Sequence, residues 1–267
     1  MRFGLDFPNF GDFADVRFVA EIARTAEAAG WDGVFIWDHI ARSSTSPPGL
    51  PTADVTVALT AIALATERVT FGPLVTPLAR RRPQKVAREF TTLDHLSNGR
   101  VILGVGLGTP PEDEFAAFGE EPDARARAEL LDESLEVITR LWSGERVDHD
   151  GVHHHVHSKA FVPTPVQEPR IPIWVAAKWP SPGAPIRRAR RWDGIVPISA
   201  APDASLRPDE IAEIRERIGR ADIEIVVEAS EHGTPADYTR AGATWWLEIV
   251  TDRDAALAAA RRGPQNI

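Results

Sequence analysis

The chain has 267 residues, 43% hydrophobic and 26% charged, enough for one large α/β domain with a sizeable core. A formal net charge of −9 argues against nucleic acid or an anionic membrane as the main partner. Cysteine is absent, which removes disulfides and thiolate nucleophiles or ligands, and no apolar run is long enough to cross a bilayer. The N-terminus enters a strand with no cleavable signal, so a cytoplasmic protein is expected.

Arg2 to Phe7 reads as a strand ended by Pro8-Asn9. Asp15 then opens a helix with Phe18, Val19, Ile22, Ala23 and Ala26 at helical spacing, and Gly30 stops it. Gly33 to Trp37 is an apolar run of strand length that ends in Asp38 and His39. Buried parallel strands read this way, and reactive groups of α/β folds stand just past their carboxyl ends. A turn-capping aspartate and an ordinary loop histidine are the simpler alternative for these two residues.

After the Ser/Pro-rich loop Ala41 to Pro51, Asp54 starts a helix that runs to Arg68 and has almost no polar face. An all-round apolar helix on the outside of a barrel calls for a partner, and a homodimer is the expected one. Val69 to Val75 is a third strand, followed by Thr76-Pro77 and the run Arg80-Arg81-Arg82. That run is read as a solvated loop in preference to an anion site. Pro83 opens a helix that closes at Ser97-Asn98-Gly99.

Val101 to Val105 is a fourth strand leading into Gly104-Val105-Gly106-Leu107-Gly108. The glycines lack the helix start and third glycine of a dinucleotide fingerprint, but Gly106 and Gly108 would let a flat ligand lie on the backbone. A polar loop, Thr109 to Asp123, precedes an amphipathic helix from Arg127 to Ser143. His149, His153, His154, His155 and His157 follow, around the hairpin signal Asp150-Gly151. A metal site is the alternative there, but strand alternation divides these imidazoles and no set of ligands is completed. No metal is therefore expected.

Pro163 to Pro172 is an extended connector into a fifth strand, Ile171 to Ala177. Further strands at Asp193 to Ile198, Ile223 to Glu228 and Ala243 to Val250 alternate with helices at Pro208 to Arg220, Pro235 to Ala241 and Asp252 to Arg262. Eight strand-then-helix units fit one closed (β/α)8 barrel over residues 1–267. Its mouth would gather Asn9, Phe10, Asp38, His39, Thr76, the glycine run, Ala177 to Trp179 and Glu228. That set suits a broad slot for a planar ring rather than metal-assisted hydrolysis. Lys178 and Ser181, near the next helix start, are candidates for a phosphate.

Gly30 through Asp38-His39, Leu93-Asp94-His95-Leu96-Ser97-Asn98-Gly99-Arg100 through Gly106, Ala116-Ala117-Phe118-Gly119 and Leu141-Trp142-Ser143-Gly144-Glu145, with Pro163 to Trp174, resemble the bacterial luciferase-like monooxygenase family. The resemblance implies a TIM barrel, usually homodimeric, that binds FMN or a deazaflavin coenzyme at its mouth and oxidises or reduces a small-molecule substrate. It implies that His39 serves proton transfer beside the ring, with Asp38 orienting it or touching the cofactor. A non-prolyl cis peptide is implied at Leu74-Val75, next to Thr76, and a phosphate loop at Ala177, Lys178, Trp179 and Ser181. Where many members carry a Trp or an acid after the fourth strand, Thr109, Pro110 and Pro111 stand, with Glu112 only later, so no acid role is carried over. A non-catalytic flavin-binding barrel and a metal-dependent hydrolase remain the rival readings.

Overall fold

The computed structural model describes residues 1–41, 49–180, 183–201 and 205–264. The strands are β1 (Arg2–Phe7), β2 (Gly33–Ile36), β3 (Thr70–Pro73), β4 (Thr76–Pro77), β5 (Leu103–Gly106), β6 (Val147–Asp150), β7 (His155–Ser158), β8 (Ile173–Trp179), β9 (Gly194–Ser199), β10 (Glu224–Glu228) and β11 (Trp245–Ile249). The helices are α1 (Val16–Ala28), α2 (Val55–Ala65), α3 (Pro83–Ser97), α4 (Pro111–Glu114), α5 (Ala124–Trp142), α6 (Ala184–Ala189), α7 (Pro208–Ile218), α8 (Pro235–Ala241) and α9 (Arg253–Arg262). Nine strands run in the order β3-β2-β1-β11-β10-β9-β8-β5-β4, each parallel to its neighbours, and a bridge from Phe71 to Val101 brings the two ends together. This is the expected (β/α)8 barrel, with β3 and β4 as two halves of one barrel strand. The remaining strands, β6 and β7, form the antiparallel hairpin signalled by Asp150-Gly151.

Alternation along each strand divides the core into two layers. Phe35, Leu74, Ile102, Trp174, Val196, Val226, Trp245 and Leu247 fill the barrel interior. Leu5, Phe7, Val34 and Ile36 point the other way, onto Phe18, Val19 and Ile22 of α1. The interior rings leave no room beside them: a Cβ on Gly33 would lie 2.7 Å from both Phe35 and Trp245. Asp15 caps α1, and Asn98 at φ 59° and Gly99 at φ 82° turn the chain out of α3.

Helix α2 is less uniform than its composition implies. Val55, Ala58, Leu59, Ile62 and Ala63 are buried, packed chiefly against α1 and α3, whereas Val57 (55% exposed) and Leu64 (70% exposed) face solvent. The proline-rich connector is tied down by the buried Asp94 carboxylate, which accepts from the Val166 N–H at 2.7 Å and the Gln167 side-chain amide at 2.7 Å.

The expected third strand, Val69 to Val75, is interrupted. Pairing stops after Pro73, the Leu74–Val75 peptide is cis as the resemblance implied, and pairing resumes at Thr76. Across this break β5 passes so close that a Cβ on Gly104 would collide with the Pro73 carbonyl and lie 2.9 Å from Leu74 Cδ2. Backbone cannot move aside as a side chain can. Gly104→Ala is therefore expected to lower stability by about 3 kcal/mol or more, read as a shifted urea midpoint with unchanged slope; a midpoint equal to wild type would show that the strands separate freely here.

Candidate active site

Asp38 and His39 leave the carboxyl end of β2, and neighbouring elements fix both. Asn9, just past β1, is fully buried and spans the His39 backbone: its Oδ1 accepts from the His39 N–H at 3.0 Å and its amide donates to the His39 carbonyl at 2.8 Å. The Phe10 ring stands 5.7 Å from the imidazole, edge-on. These contacts fix where the histidine sits.

Its orientation comes from a residue that sequence reasoning missed. His39 Nδ1 lies 2.8 Å from Oε1 of Glu114, whose side chain is fully buried. A carboxylate can only accept, so Nδ1 donates and the lone pair lies on Nε2, the tautomer that can take up a proton. Pro111 sits in the first turn of the short helix α4, whose last residue is Glu114. The Pro110-Pro111 pair was the available signal for that helix. The acid that was not carried over to Thr109–Pro111 is thus supplied a few residues later.

The arginine run is not a solvated loop at its first two positions. The Arg80 side chain is 5% exposed; it pairs with Glu114 and donates to Asp38 Oδ1 at 2.9 Å and to the Asp38 carbonyl at 2.9 Å. Arg81 donates to Asp38 Oδ2 at 2.7 Å, and the Thr76 hydroxyl bonds the same oxygen. Two acids deep in the fold need two cations, and the loop after β4 delivers them. Asp38 is therefore an anchor of the arginines, and the contact to the imidazole that was expected of it is made by Glu114. A cavity of about 400 Å3 opens beside this network, lined by His39, Asp54, Arg80, Glu114 and Phe118 among others.

The other predicted positions divide. Val75, Thr76 and Gly106 meet at the inner wall, where a Cβ on Gly106 would stand 2.5 Å from Val75 Cγ2 and 3.4 Å from Ala176 Cβ. The space on that face of Gly106 is taken by Val75 and Ala176, so the glycine lets the strands pack closely there. Leu74 belongs to the barrel interior, and Gly108, at φ 81°, is held by Arg127, which donates to its carbonyl at 2.8 Å. Ala177 and Trp179 pack into the helix-side core with Ile186 and Ala189, so only their backbone lines the mouth, while Lys178 is exposed. Ser181 lies outside the described residues. The hairpin imidazoles do not converge: His149 Nε2 and the His153 and His154 N–H groups meet Glu133, whereas His157 meets Asp148 and Asp150. Burial opposes ionisation of Glu133, but those bonds outweigh it and lower its pKa to about 2. Among the described residues no three ligating side chains gather into a metal site.

Deeper in the mouth lie two further acids. Asp6 of β1 is 2% exposed and accepts from the Trp37 indole at 2.9 Å. Burial pushes its pKa well above the usual carboxylate range, against the Trp37 bond, and the charge of Glu228 adds to the rise. Burial alone raises Glu228, at the end of β10, to about 7.

The barrel thus holds an imidazole and its carboxylate partner at the carboxyl end of β2. The family model for luciferase-like monooxygenases matches residues 1–246, and the chain belongs to that family. It is 38% identical over 162 residues to an F420-dependent glucose-6-phosphate dehydrogenase of Beutenbergia cavernae, covering 58% of this chain and 45% of that protein. A like-named enzyme of Mycolicibacterium fortuitum is 31% identical over 205 residues, covering 75% and 58%. The chain thus spans about half the length of the curated relatives it matches. Among solved structures, an F420-dependent secondary alcohol dehydrogenase in complex with an F420-acetone adduct superposes with a TM-score of 0.77 at 17% identity, covering 96% of each chain. A monooxygenase from Streptomyces bottropensis gives 0.73 at 20% identity, covering 98% and 97%. At these identities the likeness is one of fold.

The raised acid makes stability depend on pH. Folded Glu228 keeps its proton where the unfolded chain has lost it, so its contribution is complete below about 4.5 and is lost as pH rises to about 7. In urea titrations between those values, wild-type stability should fall relative to Glu228→Gln. A constant difference between the two would mean that Glu228 titrates as an ordinary carboxylate.

Proposed function

We propose that this chain is an oxidoreductase that binds a deazaflavin coenzyme, or FMN, across the barrel mouth and acts on a small organic substrate. The observation that carries the reading is the His39–Glu114 pair locked by Arg80 at the barrel mouth. It is supported by membership of the family and by relatives named as F420-dependent dehydrogenases. Those names point to sugar phosphates as the first substrates to try. The deazaflavin is preferred because the relatives found by sequence are named for it and because His39 is held for proton transfer.

The ring, when bound, supplies hydride acceptance or donation. The chain does the rest. Val75, Thr76, Gly106 and Gly108 offer the wall, and the backbone of Ala177 and Trp179 with Lys178 and Ser181 forms the proposed phosphate end. His39 Nε2 takes a proton from the substrate hydroxyl or returns it, and Glu114 stabilises the imidazolium that forms. The Asp38–arginine cluster holds Glu114 in place.

The reading treats residues 1–267 as one domain of a cytoplasmic homodimer without nucleic-acid or membrane partners. The net charge of −9 supports the missing nucleic-acid partner, and no described helix is long and apolar enough to cross a membrane. The exposed Val57 and Leu64 on α2 support the dimer. Sedimentation should give a dimer that Leu64→Lys converts to monomer; a monomeric wild type removes this part of the reading.

The main test is titration with the deazaflavin and, separately, FMN, following quenching of tryptophan fluorescence. Saturable deazaflavin binding is expected. His39→Ala and Glu114→Gln should leave that binding little changed, and His39→Ala should lower turnover roughly 100- to 10,000-fold. Binding of neither cofactor would refute the proposal, and normal turnover by His39→Ala would refute the role of the imidazole.

A further inference from the structure

The barrel has a second concavity at its amino-terminal end, on the face opposite His39. A cavity of about 370 Å3 opens there, lined by Arg2, Ile102, Trp174, Glu224 and Trp245 among others. Each of these stands at, or one residue from, the first residue of β1, β5, β8, β10 or β11, so the strand starts converge on the cavity. Its volume falls within the range of small-molecule sites, roughly 300–1,000 Å3.

Two atoms of opposite sense are left open in its wall. The Trp245 indole N–H is buried, on a residue with no exposed surface, and has no hydrogen-bond partner. Glu224 gives Oε1 to Arg2, while its Oε2, also buried, has no partner. Arg2 holds the two groups together: its guanidinium pairs with Glu224 and lies over the Trp245 ring, 4.5 Å from the centroid. The strand register agrees, since Trp245 lies opposite Arg2 on β1 and opposite Val226, two residues beyond Glu224, on β10. The Cζ3 corner of the indole, remote from the N–H, is set against Gly33, one level further into the barrel. The N–H edge therefore faces back towards the cavity.

The chemistry of a ligand follows from what the wall leaves open. Arg170, Asp222 and Arg100, also on the wall, are engaged. Arg170 pairs with Asp193, Asp222 accepts from Arg220 at 2.7 Å, and Arg100 gives its N–H groups to the carbonyls of Ala63, Thr66, Val69 and Ser97. An anion entering the cavity meets Glu168, Asp193, Asp222 and Glu224; a cation meets Arg2, Arg100 and Arg170. One donor and one acceptor remain, and their complement is a neutral group that accepts and donates together. A carboxamide or lactam does this: its carbonyl takes the indole N–H, and its own N–H goes to the carboxylate in a charge-assisted bond. Ile102, Pro172 and Trp174 give apolar wall for an attached ring.

We propose that this cavity is a second binding site, which takes a small neutral ring bearing a carboxamide or lactam between the Trp245 N–H and Glu224 Oε2. It is separate from the mouth, because His39 follows the carboxyl end of β2 and this site gathers strand starts.

The test is calorimetric titration of the full-length protein, near neutral pH, with three compounds that share one ring. These are nicotinamide, its anionic counterpart nicotinate and its cationic counterpart 3-(aminomethyl)pyridine, each with and without saturating deazaflavin. Nicotinamide should bind roughly tenfold or more tighter than either charged compound. Glu224→Gln keeps the side-chain shape but puts a donor where Oε2 accepts, and should weaken nicotinamide roughly tenfold. Trp245→Phe removes the N–H and should do the same; if that variant loses wild-type circular dichroism, Glu224→Gln decides. Deazaflavin should leave nicotinamide affinity unchanged, and displacement would put the probe in the mouth and overturn the proposal. No nicotinamide binding up to about 10 mM, equal binding of all three compounds, or binding untouched by Glu224→Gln also overturns it. If nicotinamide behaves as expected and neither cofactor binds, this site stands and the redox reading fails.

Discussion

Burying a carboxylate is expensive unless a cation is buried with it, and the mouth of this barrel is organised by that constraint. Glu114 is inside, where it meets His39, and Asp38 is inside two residues past the end of β2. Arg80 meets both, and Arg81 takes the second oxygen of Asp38. One guanidinium therefore ties the loop after β2, the loop after β4 and the helix α4. Remove the pairing and two acids would be left inside with no cation, and the imidazole would lose a firmly held partner.

The framework was legible because it is periodic. Apolar runs of strand length, glycine stops and proline starts recur along the chain, and each marks local chemistry that the fold leaves intact. The glycine run is the clearest case: Gly104 and Gly106 are small because backbone and Val75 press against them, whatever the mouth binds. Helix α2 was only half legible. Its composition conceals which apolar residues face α1 and α3, and only packing separates the buried Ile62 from the exposed Leu64.

The network around His39 was not legible for a different reason. Glu114 is 75 positions from His39, and Arg80 is 42 from Asp38. No local pattern distinguishes a buried arginine from a solvated one in a run of three; the choice is made by the acids that arrive from elsewhere. The strand after β7 shows the same limit at shorter range. Ala177, Lys178 and Trp179 lie together in sequence at the mouth, but alternation sends the first and third into the helix layer.

Charge also separates the two levels of the mouth by role. Acids neutralised by fixed arginines need nothing further, so a ligand gains little from Asp38 or Glu114 directly, and their work is to hold His39. Acids left without a cation are relieved by protonation instead: burial raises both Asp6 and Glu228 above the usual carboxylate range. The barrel thus places its fixed positive charge beside the acid that meets His39 and leaves the deeper acids to be settled by protonation.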